Sequence, residues 1–372
     1  MKISSLAPRA LAAAVLILAS LSVSRAQDVT VFECGENGFD TYRIPAIVKA
    51  ADGSYLAFAE ARKFSRSDTG DIDLVLKRSF DGGKTWSAIT TIWDDGENVC
   101  GNPCPVVLPD GEIILLSTWN RGDDHEKDIQ DYKSRDTRRV FMLRSRDNGA
   151  TWSTPVEITS MVKKPDWGWY ATGPCHAAVI SSGHHKERIV VPSNHSEHDS
   201  EGKVVARSQI VWSDDRGESW HIGAISARGG NESTVCETKG GGLMLNMRNF
   251  YKPDTLRMAG FSADGGESWE LETIAGDLVE PRCQGTMINL STGKAGKKLA
   301  FCNPRHNVKR RNLTLSISKD NGRTWPEHLC VFEGPAAYSD IVLTGRGKVG
   351  VLYENGTDEK LYSRISFKIL KL

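Results

Sequence analysis

The sequence lacks a net charge. Its 372 residues include 47 lysines and arginines and 47 aspartates and glutamates, so no field of one sign surrounds the chain. A strongly basic surface of the kind that holds nucleic acid is therefore not expected, and any anion must be recognised by cations placed locally. With 39% hydrophobic and 25% charged residues, the composition also excludes a disordered chain, a coiled coil and a collagen.

Long apolar runs are missing except near the N-terminus. The apolar run at residues 11–21 follows the basic Lys2 and Arg9 and precedes small residues that end at Ala26. This pattern predicts a signal peptide over residues 1–26 and a mature chain that begins at Gln27. An uncleaved anchor is less favoured, because the run is shorter than the roughly 20 residues that span a bilayer. The chain is thus expected to be secreted or periplasmic, with no stable membrane insertion.

Cysteines are scattered. Eight of them in a chain of this length do not describe a fold that depends on disulfides, and their spacing assigns no pairs. Cys100 and Cys104 could form half of a metal site, but no second cysteine pair stands nearby. We expect neither a metal nor another cofactor.

Helical periodicity is nearly absent, whereas one pattern, Ser-x-Asp-x-Gly-x-Thr/Ser-Trp, occurs five times. The mean spacing is about 60 residues, which suits units of four short strands, and the residues after position 26 hold close to six such units. Short β-rich stretches lead directly into the boxes. These features predict an all-β chain that forms one closed, radially repeated domain. The five boxes are residues 79–86, 145–152, 213–220, 262–269 and 318–325.

The chemistry of the box indicates a structural turn. In the first copy, Asp81 can bond to the backbone of its own turn, Gly83 supplies a position with positive φ, and Trp86 leaves as an apolar plug between strands. Metal binding by the box aspartates is disfavoured, because several carboxylates would have to converge on one ion and each box offers only one or two.

Polar stretches at residues 121–138 and 195–203 are predicted to be loops over one face, where a repeated β fold builds its site. Four histidines in polar sequence could suggest a metal, but solvated surface residues are the favoured interpretation. They are His184, His185, His195 and His198.

Several ordered motifs stand beside the boxes: Tyr-Arg-Ile-Pro at residues 42–45, Ala-Phe-Ala-Glu-Ala-Arg at 57–62 with Ser-Asp at 67–68, and Arg-Arg-Asn-Leu-Thr-Leu at 310–315 before the fifth box. Together with the boxes, these motifs resemble those of the sialidases (neuraminidases). The resemblance covers essentially the whole chain after residue 26 and is closer to bacterial and animal members than to viral ones. It implies a six-bladed β-propeller over residues 27–372 with no additional lectin domain, acting as a monomer on sialylated glycans.

The resemblance also implies a clamp of three arginines for the carboxylate of sialic acid, since the guanidinium group is planar and always charged. By motif these are Arg43, Arg248 and Arg310. Arg305 and Arg311 are near the third position, but Arg310 stands two residues before the asparagine that opens the strand.

A catalytic set follows from the same resemblance. Tyr338 is implied as the nucleophile and Glu232 as its base, because a neutral phenol approaches a carboxylate-bearing carbon more easily than a carboxylate does. Asp68 is implied as the general acid and base, with Asp71 as its rival.

Further pocket residues are implied less directly. Arg62 resembles a contact on the 4-hydroxyl side of the sugar, and Asn102 and Gln284 are candidates for the pocket lining. The expected activity is exo-α-sialidase hydrolysis with retained configuration. A trans-sialidase and a non-catalytic sialic-acid-binding propeller remain the alternatives.

Overall fold

A computed structural model of the chain describes residues 28–251 and 255–372. The predicted signal peptide, residues 1–26, lies outside this part. Within the described ranges no helix is both long and apolar enough to cross a membrane.

Strands make up nearly all the regular structure of the described residues, so the prediction of an all-β chain is confirmed. Two short helices, α1 (Glu126–Gln130) and α2 (Thr159–Val162), interrupt them. The strands are β1 (Val29–Glu33), β2 (Thr41–Lys49), β3 (Tyr55–Arg62), β4 (Ile72–Ser79), β5 (Thr90–Trp93), β6 (Val99–Val107), β7 (Ile113–Asn120), β8 (Arg139–Ser145), β9 (Val156–Glu157), β10 (Tyr170–Thr172), β11 (Ala178–Val179), β12 (Ile189–His198), β13 (Val204–Ser213), β14 (His221–Ile225), β15 (Gly230–Glu237), β16 (Leu243–Asn249), β17 (Leu256–Ser262), β18 (Leu271–Val279), β19 (Thr286–Asn289), β20 (Leu299–Pro304), β21 (Arg311–Ser318), β22 (Glu327–Gly345), β23 (Lys348–Asn355) and β24 (Arg364–Lys371).

Neighbouring strands pair in antiparallel order, and the sheets divide into repeated units. The eight-stranded sheet holds β2–β5 and β6–β9, which are joined by one parallel pair, Ile72 with Val99. The next two units are β10–β14 and β15–β18. In the seven-stranded sheet, the long strand β22 pairs first with β21 and then with β23, so it serves two units. The last of these also contains β1, which ties the start of the described chain to its end.

Each unit packs against the next through buried apolar side chains. One such cluster lies between every pair of successive units from β2 to the C-terminus. A further cluster joins the last unit to the first, where Leu352 and Phe367 pack with Tyr55. Burial of apolar surface is the dominant favourable term in folding. Here it joins each unit to the following one and the last unit to the first.

The five boxes form the turns that their sequence predicts. Ser79 Oγ donates to Asp81 Oδ1 at 2.9 Å, and Asp81 accepts from the backbone N and the hydroxyl of Thr85 at 2.9 and 2.6 Å. Bonds from the Thr85 hydroxyl and backbone hold the pKa of Asp81 at about 2. Gly83 has φ +87°, and the Trp86 ring packs edge-on against Phe367. Each box therefore closes a hairpin through local hydrogen bonds and contributes one tryptophan that packs between strands.

One interpretation from the sequence is wrong. Residues 195–198 lie in β12, and His195 is buried instead of solvated. Its ring stacks on Trp167 with centroids 3.5 Å apart, and its Nδ1 lies 2.7 Å from Gln209 Oε1. Burial lowers the pKa of His195 to about 4, so it is a neutral core residue. No group of three or more side chains that could hold a metal occurs in the described residues.

The first box gives a matched test of this packing. Gly82 and Gly83 both have positive φ, but a Cβ on Gly82 would meet nothing within 4 Å, whereas one on Gly83 would lie 2.1 Å from the Phe367 ring. We expect Gly82→Ala to cost about 1 kcal/mol through backbone strain. Gly83→Ala should cost about 1–3 kcal/mol more through overpacking. Chemical unfolding of both variants measures the difference, and equal losses would contradict the close approach.

Candidate active site

A cavity of about 210 Å³ opens where the ends of several strands meet, and charged side chains dominate its wall. Eight of the nine site residues predicted from the sequence line it: Arg43, Arg62, Asp68, Asn102, Glu232, Arg248, Arg310 and Tyr338. They come from β2, β3, β6, β15, β16 and β22 and from the segments before β4 and β21. Residues separated by up to about 300 positions therefore face one small volume.

A phenol and a carboxylate are in contact at the base of this cavity. Tyr338 Oη donates to Glu232 Oε1 at 2.6 Å, and Arg248 Nη1 donates to Glu232 Oε2 at 2.6 Å and to Tyr338 Oη at 3.2 Å. Burial, and then the Glu232 charge, raise the pKa of Tyr338 well above its usual value, against the opposing effect of Arg248 and Arg310. Tyr338 is therefore a neutral phenol, and its hydroxyl already donates to a proton acceptor, Glu232.

Three guanidinium groups surround this phenol. The Arg43 and Arg310 guanidinium carbons lie 5.2 and 5.4 Å from the centroid of the Tyr338 ring, while Arg248 contacts its oxygen. Arg310 Nη1 also donates to Tyr362 Oη at 2.9 Å. A cluster of cations in a shielded cavity is suited to hold an anion.

The neighbours of Arg310 in the sequence stand elsewhere. Arg305 is exposed, and Arg311 lies 3.7 Å from Asp358. Neither lines the cavity.

Asp68 lies at the mouth of the cavity with 70% of its side chain exposed. Its Oδ1 lies 2.7 Å from Arg62 Nη2. Desolvation alone would raise the pKa of Asp68, but the charges of Arg62 and Arg43 outweigh it and hold that pKa below its usual value. The rival Asp71 pairs with Lys63 at 3.3 Å and does not line the cavity.

Glu354 was not predicted, yet it organises the base of the site. Fully buried on β23, it accepts from Arg43 Nε at 2.8 Å and from the backbone N of Ile44 and Tyr338 at 2.9 and 3.1 Å. It thus fixes the strands that carry the first arginine and the phenol. No local motif marks Glu354, because its partners are remote in the sequence.

A second missed group forms the opposite wall. The Arg138 guanidinium stacks on Trp169 at 3.8 Å and donates to Asn102 Oδ1 at 2.5 Å and to Asn120 Oδ1 at 2.8 Å. Since burial outweighs the nearby carboxylates, the pKa of Arg138 falls to about 10. The predicted lining residue Asn102 is thus itself held in place by a cation. Arg138 ends the polar stretch of residues 121–138, which follows the buried strand β7. That position was the only signal in the sequence that could have identified it.

Gln284 is the exception among the predicted residues. It is 1% exposed and does not line the cavity, because its amide is engaged below the surface with backbone groups. Gln284 Nε2 donates to Pro174 O at 2.9 Å and to Ser339 O at 3.0 Å, and Oε1 accepts from Ser339 N at 3.0 Å. The prediction that Gln284 lines the pocket is therefore wrong.

Comparison with known proteins agrees with this fold. The BNR repeat-like domain matches residues 53–351, so the chain belongs to that class of repeated β proteins. It is 28% identical to a sialidase of Bacteroides fragilis, over 95% of this chain and 67% of that protein. An exo-alpha-sialidase of Aspergillus fumigatus is also 28% identical, over 90% of this chain and 85% of its own length.

A solved structure, the Hadza microbial sialidase Hz136, superposes with a TM-score of 0.78 at 28% identity, covering 93% of this chain and 68% of that one. An intramolecular trans-sialidase from Ruminococcus gnavus has the same TM-score at 16% identity, over 92% of this chain and 97% of its own, and so supports the fold alone. The chain is a member of the sialidase family of glycoside hydrolases.

The buried Arg43–Glu354 pair predicts a specific pattern of stability. Glu354→Gln should lower the free energy of unfolding by about 3–5 kcal/mol, because it leaves a buried cation uncompensated. The double variant Arg43→Met/Glu354→Gln should regain part of this loss, as a double-mutant cycle in denaturant can measure. Strictly additive losses would contradict the pairing.

Proposed function

We propose that this chain is an exo-α-sialidase that removes terminal α-linked sialic acid with retained configuration through a covalent Tyr338 intermediate. The observation that carries the proposal is the buried phenol 2.6 Å from Glu232 and ringed by Arg43, Arg248 and Arg310. It offers a carboxylate-binding centre and a nucleophile with its base in one small volume.

Substrate binding begins with charge. The sialic acid carboxylate is held by Arg43, Arg248 and Arg310, which places the anomeric carbon beside Tyr338. The sugar occupies the cavity between this centre and the wall formed by Arg62 and the residues around Arg138. Its glycosidic oxygen then faces Asp68 at the open mouth.

The first chemical step breaks the glycosidic bond. Tyr338 Oη forms a bond to the anomeric carbon while its proton passes to Glu232, and Asp68, in its protonated form, gives its proton to the departing glycosidic oxygen. Arg62 and then Arg43 hold the pKa of Asp68 below its usual value, and the sialic acid carboxylate partly neutralises the charge of Arg43. Binding therefore favours the protonated form that this step requires.

The second step releases the sugar. Asp68, now a carboxylate, takes a proton from a water molecule that attacks the anomeric carbon. The bond to Tyr338 Oη breaks, and the proton on Glu232 returns to the phenol oxygen. Two displacements at one carbon give the retained configuration.

The proposal includes the shape and setting of the molecule. We propose that the six antiparallel units stand around one axis as the blades of a propeller. The apolar clusters that join each unit to the next, and the last to the first, support this arrangement.

We also propose export through residues 1–26 and action as a monomer on sialylated glycans. Mass spectrometry of the exported protein should find Gln27 at its N-terminus.

Turnover of 4-methylumbelliferyl α-sialoside tests the central assignment. We expect Tyr338→Phe to lower kcat at least about 100-fold while retaining affinity for free sialic acid, because only the nucleophilic oxygen is lost. Arg310→Ala should instead weaken binding of free sialic acid, and Asp68→Ala should slow turnover. Tyr353→Phe removes another buried phenol oxygen, bonded to Asp28, and serves as the control.

Normal turnover by Tyr338→Phe would contradict the nucleophile assignment. Sialic acid binding without turnover in the parent would favour the non-catalytic propeller. Transfer of sialic acid to added lactose in place of hydrolysis would favour the trans-sialidase.

The Arg62–Asp68 contact predicts a shift in pH dependence. Arg62→Met removes a cation 2.7 Å from the carboxylate, so the pKa of Asp68 should rise and the general acid should stay protonated to higher pH. The descending limb of the kcat/KM profile should therefore move to higher pH, although total activity falls because a substrate contact is lost. An unmoved limb, or one displaced to lower pH, would contradict Asp68 as the acid.

A further inference from the structure

We propose that Gln284 is a positioning residue for the nucleophile: its buried side-chain amide holds the peptide that follows Tyr338 and so sets the place of the phenol oxygen. The inference rests on the proposed role of Tyr338. It gives a function to a residue that does not itself reach the cavity.

The side chain of Gln284 pairs with Ser339 in both directions. Ser339 N donates to Gln284 Oε1, and Gln284 Nε2 donates to Ser339 O, each at 3.0 Å. Both the donor and the acceptor of one peptide segment are satisfied by a single amide group, as a neighbouring strand would satisfy them. The third bond, from Nε2 to Pro174 O at 2.9 Å, anchors the amide to another unit.

The strand needs such a partner because its regular pairing is interrupted here. Ala336 pairs with Asn355 and Ser339 pairs with Tyr353, so β22 contains one more residue than β23 between these positions. This β-bulge takes Tyr338 out of the ladder, and its backbone N donates to Glu354 Oε2 instead. Gln284 therefore fixes the backbone on the far side of the bulge.

The consequence for the phenol follows from its length. The reacting oxygen stands at the far end of the Tyr338 side chain, so a small tilt of the backbone becomes a displacement of about 1 Å at that oxygen, enough to cost about 100-fold in rate. The contact at risk is the 2.6 Å bond to Glu232. Asp340 also fixes β22, through Ile47 and Thr286, but it lies on the other side of Ser339 from the bulge.

The test compares two side-chain amides that bond backbone groups in both directions, the buried Gln284 and the half-buried Asn289. Gln284→Met keeps the approximate volume and removes the bonds to Ser339. The control is Asn289→Leu, which removes bonds to Glu237 O and to Gly296 that do not involve β22. Both variants should lose thermal stability.

Two readouts separate positioning from a general structural role. The first is the rate at which a 2,3-difluoro sialic acid labels Tyr338, followed by mass spectrometry, and the second is the affinity for 2,3-dehydro sialic acid, which needs the arginines but no bond to the phenol. Gln284→Met should label about 10- to 100-fold more slowly and bind the dehydro sugar within about threefold of the parent. Asn289→Leu should match the parent in both.

A second variant guards against a folding defect. Gln284→Glu keeps the acceptor for Ser339 N but turns an acceptor oxygen toward Ser339 O and Pro174 O, so it should also label slowly while retaining the dehydro sugar. Labelling at the parent rate in either Gln284 variant would overturn the inference. Equal losses of labelling and dehydro-sugar affinity would also overturn it, and a parent that is not labelled at Tyr338 would overturn the proposed function itself.

Discussion

The rest of the site depends on one constraint: three guanidinium groups lie around one phenol, and their charges must be compensated. Charges of one sign repel each other, and taking them out of water is costly unless each finds a partner. Arg43 is paired with Glu354 and Arg248 with Glu232, while Arg310 is bonded to a phenol and a backbone carbonyl. Glu354 has a structural role, and Glu232 has a proposed role in the chemistry. The contacts that compensate the charges of the arginines are therefore the same contacts that arrange the catalytic groups.

The fold makes this concentration of charge possible. Strands that carry the site belong to different units, and successive units are held together by apolar clusters, so the charged strand ends meet over a rigid base. The boxes lock the turns of the units through local bonds and a tryptophan each. Rigid support matters here, because electrostatic stabilisation of a transition state requires groups that are already in place.

Local features of this structure were readable from the sequence, whereas remote ones were not. The box is a local pattern of eight consecutive residues, and its turn follows from bonds among them, chiefly those of Asp81, and from the positive φ of Gly83. Motifs beside strands, through the resemblance they carry, likewise identified eight of the residues that line the cavity. Glu354 and Arg138 were not predicted, because their roles come from partners outside their own stretch of sequence. His195 was misinterpreted, because its polar sequence neighbours gave no sign of its stacking on Trp167. Gln284 was noticed for its motif but placed at the cavity, since only the β-bulge shows why an amide is needed beneath it.

The central proposed step is a covalent bond between Tyr338 and the sugar, which fixes the stereochemistry of the product. Proton NMR during the first minutes of hydrolysis of an α-sialoside measures this directly, before the released sugar changes its anomeric form. Double displacement predicts that α-sialic acid appears first and then converts to the β anomer. If β-sialic acid is the first product, water attacks the anomeric carbon directly, and the proposed role of Tyr338 as nucleophile is contradicted.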